Sequence, residues 1–195
     1  MNTGESKFDE AESWQLIQEM ITTARKDVRD GSFYYLLWGW LVFIASLGHY
    51  ILEVIVGYKH PYVVWLLMLL GIGATIYKAT RQHRHQKVKT YLDRFITNFW
   101  LAIFVAILIM LIGAAFKTGY DVAYPNIILI YGVAMFMSGA VFRFKPLIIG
   151  GIGCWIIAIV AFFVSFDIQL LLMALATLIG YLIPGYLLKA GTRHE

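Results

Sequence analysis

Six stretches of this chain are apolar almost without interruption: residues 33–56, 62–78, 97–116, 125–142, 147–166 and 168–188. A helix needs about 20 apolar residues, roughly 17 to 25, to cross the hydrocarbon of a bilayer. Within that layer every backbone N–H and C=O must be paired inside the helix or around a closed barrel. A barrel would show short alternating segments, whereas these runs are continuous. The expected fold is therefore an all-α integral membrane protein, with six transmembrane helices in three hairpins. Charged residues make up 14% of the chain, against about a quarter in soluble domains. Residues 33–188 read as one membrane domain, between an N-terminal segment 1–32 and a tail 189–195. The pieces outside the runs are too short for a soluble domain. The start, MNTGESKFDE, is polar and acidic, without the basic-then-apolar order of a secretory signal.

Charge sets the expected orientation. With six spans both termini share a face, and that face collects Lys7, Arg25, Lys26, Arg29, Lys78, Arg81, Arg84, Lys87, Lys89, Arg94, Arg143, Lys145, Lys189 and Arg193. Only Lys59 and Lys117, of 16 basic residues, fall opposite. Basic residues stay on the cytoplasmic side of short loops, so both termini are expected in the cytoplasm of a bacterial inner membrane. The aromatics agree, with Trp38, Trp40, Phe99 and Trp100 at the inner boundary. Tyr58, Tyr62, Trp65, Tyr120 and Tyr124 fall at the outer one; amphipathic rings prefer those depths. Pro61 and Pro125 are expected at the outer starts of the second and fourth spans, where proline sacrifices no helical bond. Gly132, Ser138, Gly139, Gly150, Gly151, Gly153, Ala176 and Gly180 are small enough to let helix backbones approach. Pro184-Gly185 is expected to kink the last span. Cys154 is the only cysteine, which excludes a disulfide framework and reads as a space-filling residue.

Two cytoplasmic features stand out. In SWQLIQEMITTARKDVRDG, residues 13–31, Trp14, Ile17, Ile21, Ala24 and Val28 recur at steps of 3 and 4. That spacing puts one apolar stripe on a helix, so residues 10–30 are expected to form an amphipathic helix. It would lie on the inner leaflet, or cover the bundle's end or dock a cytoplasmic protein partner. In KATRQHRHQKVKTYLDR, residues 78–94, six basic residues face the single acid Asp93. Arg81, Arg84, Lys87 and Lys89 are expected to contact anionic lipid head groups. Nucleic acid is not an expected partner, because no binding fold or set of stacking aromatics accompanies the charge.

The stretch GHYILEVIVGYKHP carries His49, Glu53 and His60 where lipid-facing residues would be hydrocarbon. His49 and Glu53 are four apart and share a helix face. An ionisable side chain inside a span is a candidate functional site, since leaving it unpaired is expensive. These three could hold a divalent metal or relay a proton, with Asp121, Asp167 and Gln169 within reach on the same side. The plainer alternative is a histidine–carboxylate pair that satisfies itself near the interface and snorkels outward.

No H-E-x-x-H, G-x-S-x-G, P-loop or G-x-G-x-x-G pattern occurs in a usable place, so neither enzymatic activity nor a cofactor is expected. GVAMFMSGAVFRFKPLIIGGIGCWIIAIVAFF, residues 132–163, resembles the glycine-spaced helices of the HdeD-like six-span bacterial proteins. The resemblance covers two of the six runs and implies a stress-related inner-membrane protein. The expectation is thus a small non-enzymatic, self-associating membrane protein with a regulatory or structural role, coupling the bilayer to a cytoplasmic partner. The alternative is a small transporter or channel with a polar site near its outer face.

Overall fold

The computed structural model describes residues 31–83 and 91–191, and every regular element among them is helical. Helix α1 spans Gly31–Ile55 and widens over its last turn, Ile51–Ile55. Helix α2 opens as a tight turn, Pro61–Leu66, and continues as Leu67–His83. Helix α3 runs Tyr91–Gly113 and widens at Ala114–Thr118. Helices α4 and α5 are Tyr120–Val141 and Lys145–Ala161. Helix α6 is Phe166–Thr177, a wide turn at Leu178–Leu182, and Ile183–Gly191. Five stretches, in α1, α2, α3, α4 and α6, are long and apolar enough to cross a membrane. The remaining run, residues 147–166, forms α5, which is shorter at 17 residues.

Two boundaries differ from the sequence reading. The fifth helix stops at Ala161 rather than running to 166, because Gln169 from α6 caps it. The Gln169 side-chain amide donates to the Ala161 carbonyl at 3.1 Å and the Val164 carbonyl at 3.3 Å, so the last carbonyls of α5 need no further turn. The fourth helix starts five residues before the proline expected to open it. Gly119, at φ 81 and ψ 159, reverses the chain in one residue, a conformation essentially reserved for glycine. Pro125 therefore sits inside α4 with its ring fully buried, giving up one helical hydrogen bond.

The opposite turn, between α4 and α5, closes differently. Phe144 N–H donates to Gly139 O at 2.9 Å and Arg143 N–H to Ala140 O at 3.3 Å, the paired bonds of a Schellman cap. Arg143 occupies the left-handed position of that cap, at φ 52, where glycine is usual.

Packing is uneven. The apolar windows of α4 and α6 are 56% buried, whereas those of α2 and α3 are 6% buried. The core is therefore α4, α5 and α6, with one face of α1 laid against it. That face is Ser32, Tyr35, Gly39, Val42, Ser46 and His49, all buried and spaced at 3 and 4. Glycines set the distance between α4 and α5. A Cβ on Gly151 would stand 2.7 Å from the Gly132 carbonyl oxygen and 2.7 Å from the Phe136 nitrogen. On Gly139 it would meet the Ile148 nitrogen at 2.7 Å. Gly150 faces the Ile179 carbonyl in the same way, at 2.9 Å. That carbonyl belongs to the wide turn of α6, where Ile183 N–H reaches back to Leu178 O, just ahead of buried Pro184. The wide turn thus accompanies the expected disturbance around Pro184. Cys154 is buried, with its thiol 3.5 Å from the Ala176 carbonyl.

Candidate functional site

One end of the bundle is closed by a ring of four side chains from four helices. His49 comes from α1, Trp65 from the opening turn of α2, Tyr124 from α4 and Phe166 from the first residue of α6. Their rings meet edge to face in a closed circuit. The centroids are 6.4 Å apart for His49–Trp65, 5.9 Å for Trp65–Tyr124, 5.3 Å for Tyr124–Phe166 and 5.8 Å for Phe166–His49. Such pairs hold about 0.5–1.5 kcal/mol each beyond simple burial. Tyr124 is 4% exposed and His49 6%, while Trp65 and Phe166 are half-buried, so the circuit runs from the interior to the rim of the bundle.

Both ring nitrogens of His49 are engaged. The Trp65 indole N–H donates to Nδ1 at 3.0 Å. An Nδ1 that accepts carries no proton of its own, so the ring hydrogen of neutral His49 sits on Nε2. Nε2 lies 3.3 Å from Glu53 Oε2, the contact expected of residues four apart on a helix. It is an electrostatic contact rather than an aligned hydrogen bond, since Oε2 is buried and accepts none. The rest of the Glu53 side chain reaches outward, and it is 35% exposed. Asp167, beside Phe166 in the first turn of α6, is exposed and its charge is felt by Glu53.

The other residues singled out by sequence fall elsewhere. His60 is not joined to His49 and Glu53. It lies in the exposed turn before α2, where its Nδ1 is 2.7 Å from the Tyr62 hydroxyl and its ring lies between those of Tyr58 and Tyr62. Among the described residues no three His, Cys, Asp or Glu side chains form a group able to hold a metal ion, so the proposed three-ligand set does not assemble. Gln169 is spent on capping α5, and Asp121 packs against the Gly119 turn. Arg81 is exposed near the end of α2. Arg84, Lys87 and Lys89, and the stripe Trp14, Ile17, Ile21, Ala24 and Val28, lie outside the described residues. Sequence reasoning placed Trp65 and Tyr124 in an interfacial belt without pairing them to His49, and it placed Phe166 at the end of the wrong helix.

Toward the other end the interior is again aromatic. Tyr181 contacts Tyr131 at 5.2 Å, Tyr35 at 6.3 Å and Trp100 at 6.4 Å between centroids. Trp38 ties α1 to α2 through a 3.2 Å bond from its indole N–H to the Thr75 hydroxyl. Lys78 lies over the rings of Phe33 and Tyr34, at 4.0 and 5.0 Å. Among the described residues the buried Ser46 hydroxyl and the Gln169 carbonyl oxygen make no hydrogen bond. These groups are scattered along the bundle rather than drawn into one place. No family model, curated protein or solved structure matches this chain.

Proposed function

We propose that this chain is a small, non-enzymatic, multi-pass protein of the bacterial inner membrane, with a structural or regulatory role exerted on a cytoplasmic partner. The observation that carries the reading is the closed circuit His49–Trp65–Tyr124–Phe166. A transport path needs polar groups facing a cavity, whereas here packed rings close this end of the bundle, with His49 Nδ1 tying α1 to α2 through Trp65 and Nε2 facing Glu53 on its own helix. All six helices cross the bilayer in this reading. Helix α5, at 1.5 Å per residue, is about 25 Å long, and its 17 residues meet the lower limit for a span. Short turns at 142–144 and 162–165 fold it back between α4 and α6. The closed circuit faces outward, and the termini and residues 78–94 face the cytoplasm.

Orientation is tested by single cysteines. Tyr120→Cys should react with an impermeant thiol reagent on intact cells, and Lys87→Cys should react only after the membrane is opened. The reverse pattern overturns the orientation and the partner side with it.

Coupling to a partner is assigned to residues 10–30 and 78–94. Ile17→Glu combined with Ile21→Glu places two carboxylates on the apolar stripe. This removes about 1.5–3 kcal/mol of burial per side chain and adds a desolvation cost. Protease cleavage near Arg25 in inverted vesicles should then accelerate. Unchanged cleavage would show that the stripe is not buried against membrane or bundle.

A further inference from the structure

The tie between α1 and the opening turn of α2 can hold only one protonation state of His49. In that tie Nδ1 accepts the Trp65 indole N–H at 3.0 Å, so the ring is neutral. An imidazolium carries an N–H at both positions, and an indole nitrogen offers no acceptor to either. A proton arriving on Nδ1 would set two donors head to head, so the Trp65 bond must break. The contact therefore closes on a neutral ring and opens on a charged one.

The groups around the ring supply the charge that would hold such a proton. Among the described residues the titratable groups facing His49 are Glu53 on α1, Tyr124 on α4 and Asp167 on α6, while α2 presents only the Trp65 indole. Glu53 Oε2 stands 3.3 Å from Nε2, and the charge of Asp167 reaches that carboxylate. Two carboxylates beside an imidazole favour its charged form once water can enter.

What would move is the outer end of α2. Its apolar window is 6% buried, and residues 56–60 ahead of it are all exposed. Apart from the Trp65 bond, the Pro61–Leu66 turn is held there mainly by Val64 resting close against Gly48. The other end of α2 is fastened separately, by the 3.2 Å bond from Trp38 to Thr75 and by Lys78 over Phe33 and Tyr34. Helix α2 is thus anchored at one end and latched at the other.

We infer that His49 and Trp65 form a proton-operated latch, which releases the outer end of α2 when His49 takes a proton on Nδ1. Histidine suits the task because its charge changes between about pH 5 and 8. The latch deepens the regulatory reading above by naming its signal. It rests on that reading only for the side, the outer one, whose acidity is felt.

The test is nuclear magnetic resonance of the full chain in detergent micelles, where both faces meet the same pH, so failure would leave the orientation untouched. Nitrogen-15 labelling follows the indole N–H of Trp65, identified by its loss in Trp65→Phe, and the ring nitrogens of His49, identified by their contact with that N–H. Between about pH 7 and 5, the ordinary range of an imidazole, Nδ1 should gain a proton. Over the same range the Trp65 signal should move to that of an unbonded indole and exchange faster with water. In His49→Gln, whose carbonyl can accept the same bond but takes no proton, the Trp65 signal should stay fixed. His60→Gln removes the histidine of the adjoining turn and should leave the transition in place. Glu53→Gln removes one favouring charge and should lower the midpoint by about one pH unit. A Trp65 signal that ignores acid, or that moves while Nδ1 stays unprotonated, would overturn the latch, and both are read on the wild-type protein. A transition that survives in His49→Gln, or disappears in His60→Gln, would overturn it as well.

Discussion

Gly151→Ala is expected to lower the melting temperature of the purified protein in detergent by about 6–12 °C, the shift that follows from roughly 3 kcal/mol in a chain of this size. The atoms its Cβ would strike are the Gly132 carbonyl oxygen and the Phe136 nitrogen, each at 2.7 Å, and the Phe136 Cα at 3.0 Å. All three are backbone, so no side chain can rotate away and α4 must separate from α5. Within lipid, no surrounding water penalises that separation, and stability rests on close packing itself. The control lies in the same molecule. Gly73, on the exposed side of α2, has nothing within 4 Å of where a methyl group would stand, and Gly73→Ala should be neutral or stabilise by up to about 1 kcal/mol through helix propensity. If both substitutions had the same effect, the α4–α5 seam would not be a close backbone contact.

That seam was legible in the sequence as a set of small residues but not as a set of partners. Glycine spacing shows that backbones can approach. It does not show that Gly132 meets Gly151 while Gly150 meets Ile179, because pairing depends on how helices distant in sequence are rotated. The helical class and the positions of the runs were readable, since hydrocarbon length and backbone pairing leave few alternatives. Helix ends were harder. Pro125 looked like a helix start because proline is harmless there, yet Gly119 had already turned the chain. The end of α5 was hidden because its stop signal, Gln169, sits in the next helix. His49 and Glu53 were paired correctly from their spacing, since contacts four residues apart are local. His60 was grouped with them by proximity in sequence, and the turn at Gly57, with φ 65, carries it elsewhere.

His49→Leu is expected to destabilise the protein by about 2–4 kcal/mol, whereas His49→Gln should stay within about 1 kcal/mol of wild type. Leucine fills the volume but abandons the Trp65 indole N–H, and an unsatisfied buried donor costs about 1–3 kcal/mol. It also strips the contact from the buried Glu53 oxygen, adding to the loss. Glutamine can reproduce the polarity of the neutral ring, with its carbonyl accepting from Trp65 and its amide donating toward Glu53. The bond itself can be isolated with Trp65→Phe, which keeps an aromatic ring and removes the donor. Alone it should cost about 1–2 kcal/mol, but in the His49→Leu background it should be nearly neutral, because the orphaned N–H is then gone. Equal effects in both backgrounds would mean the 3.0 Å bond holds nothing. The glutamine variant also separates the two functional readings, since it preserves hydrogen-bond polarity but cannot carry a proton. If His49 only fastens α2 to the bundle, His49→Gln should fold and behave as wild type in vesicles. A variant that folds normally but loses proton or divalent-cation flux present in wild-type vesicles would instead assign His49 to transport, and the structural reading would fall.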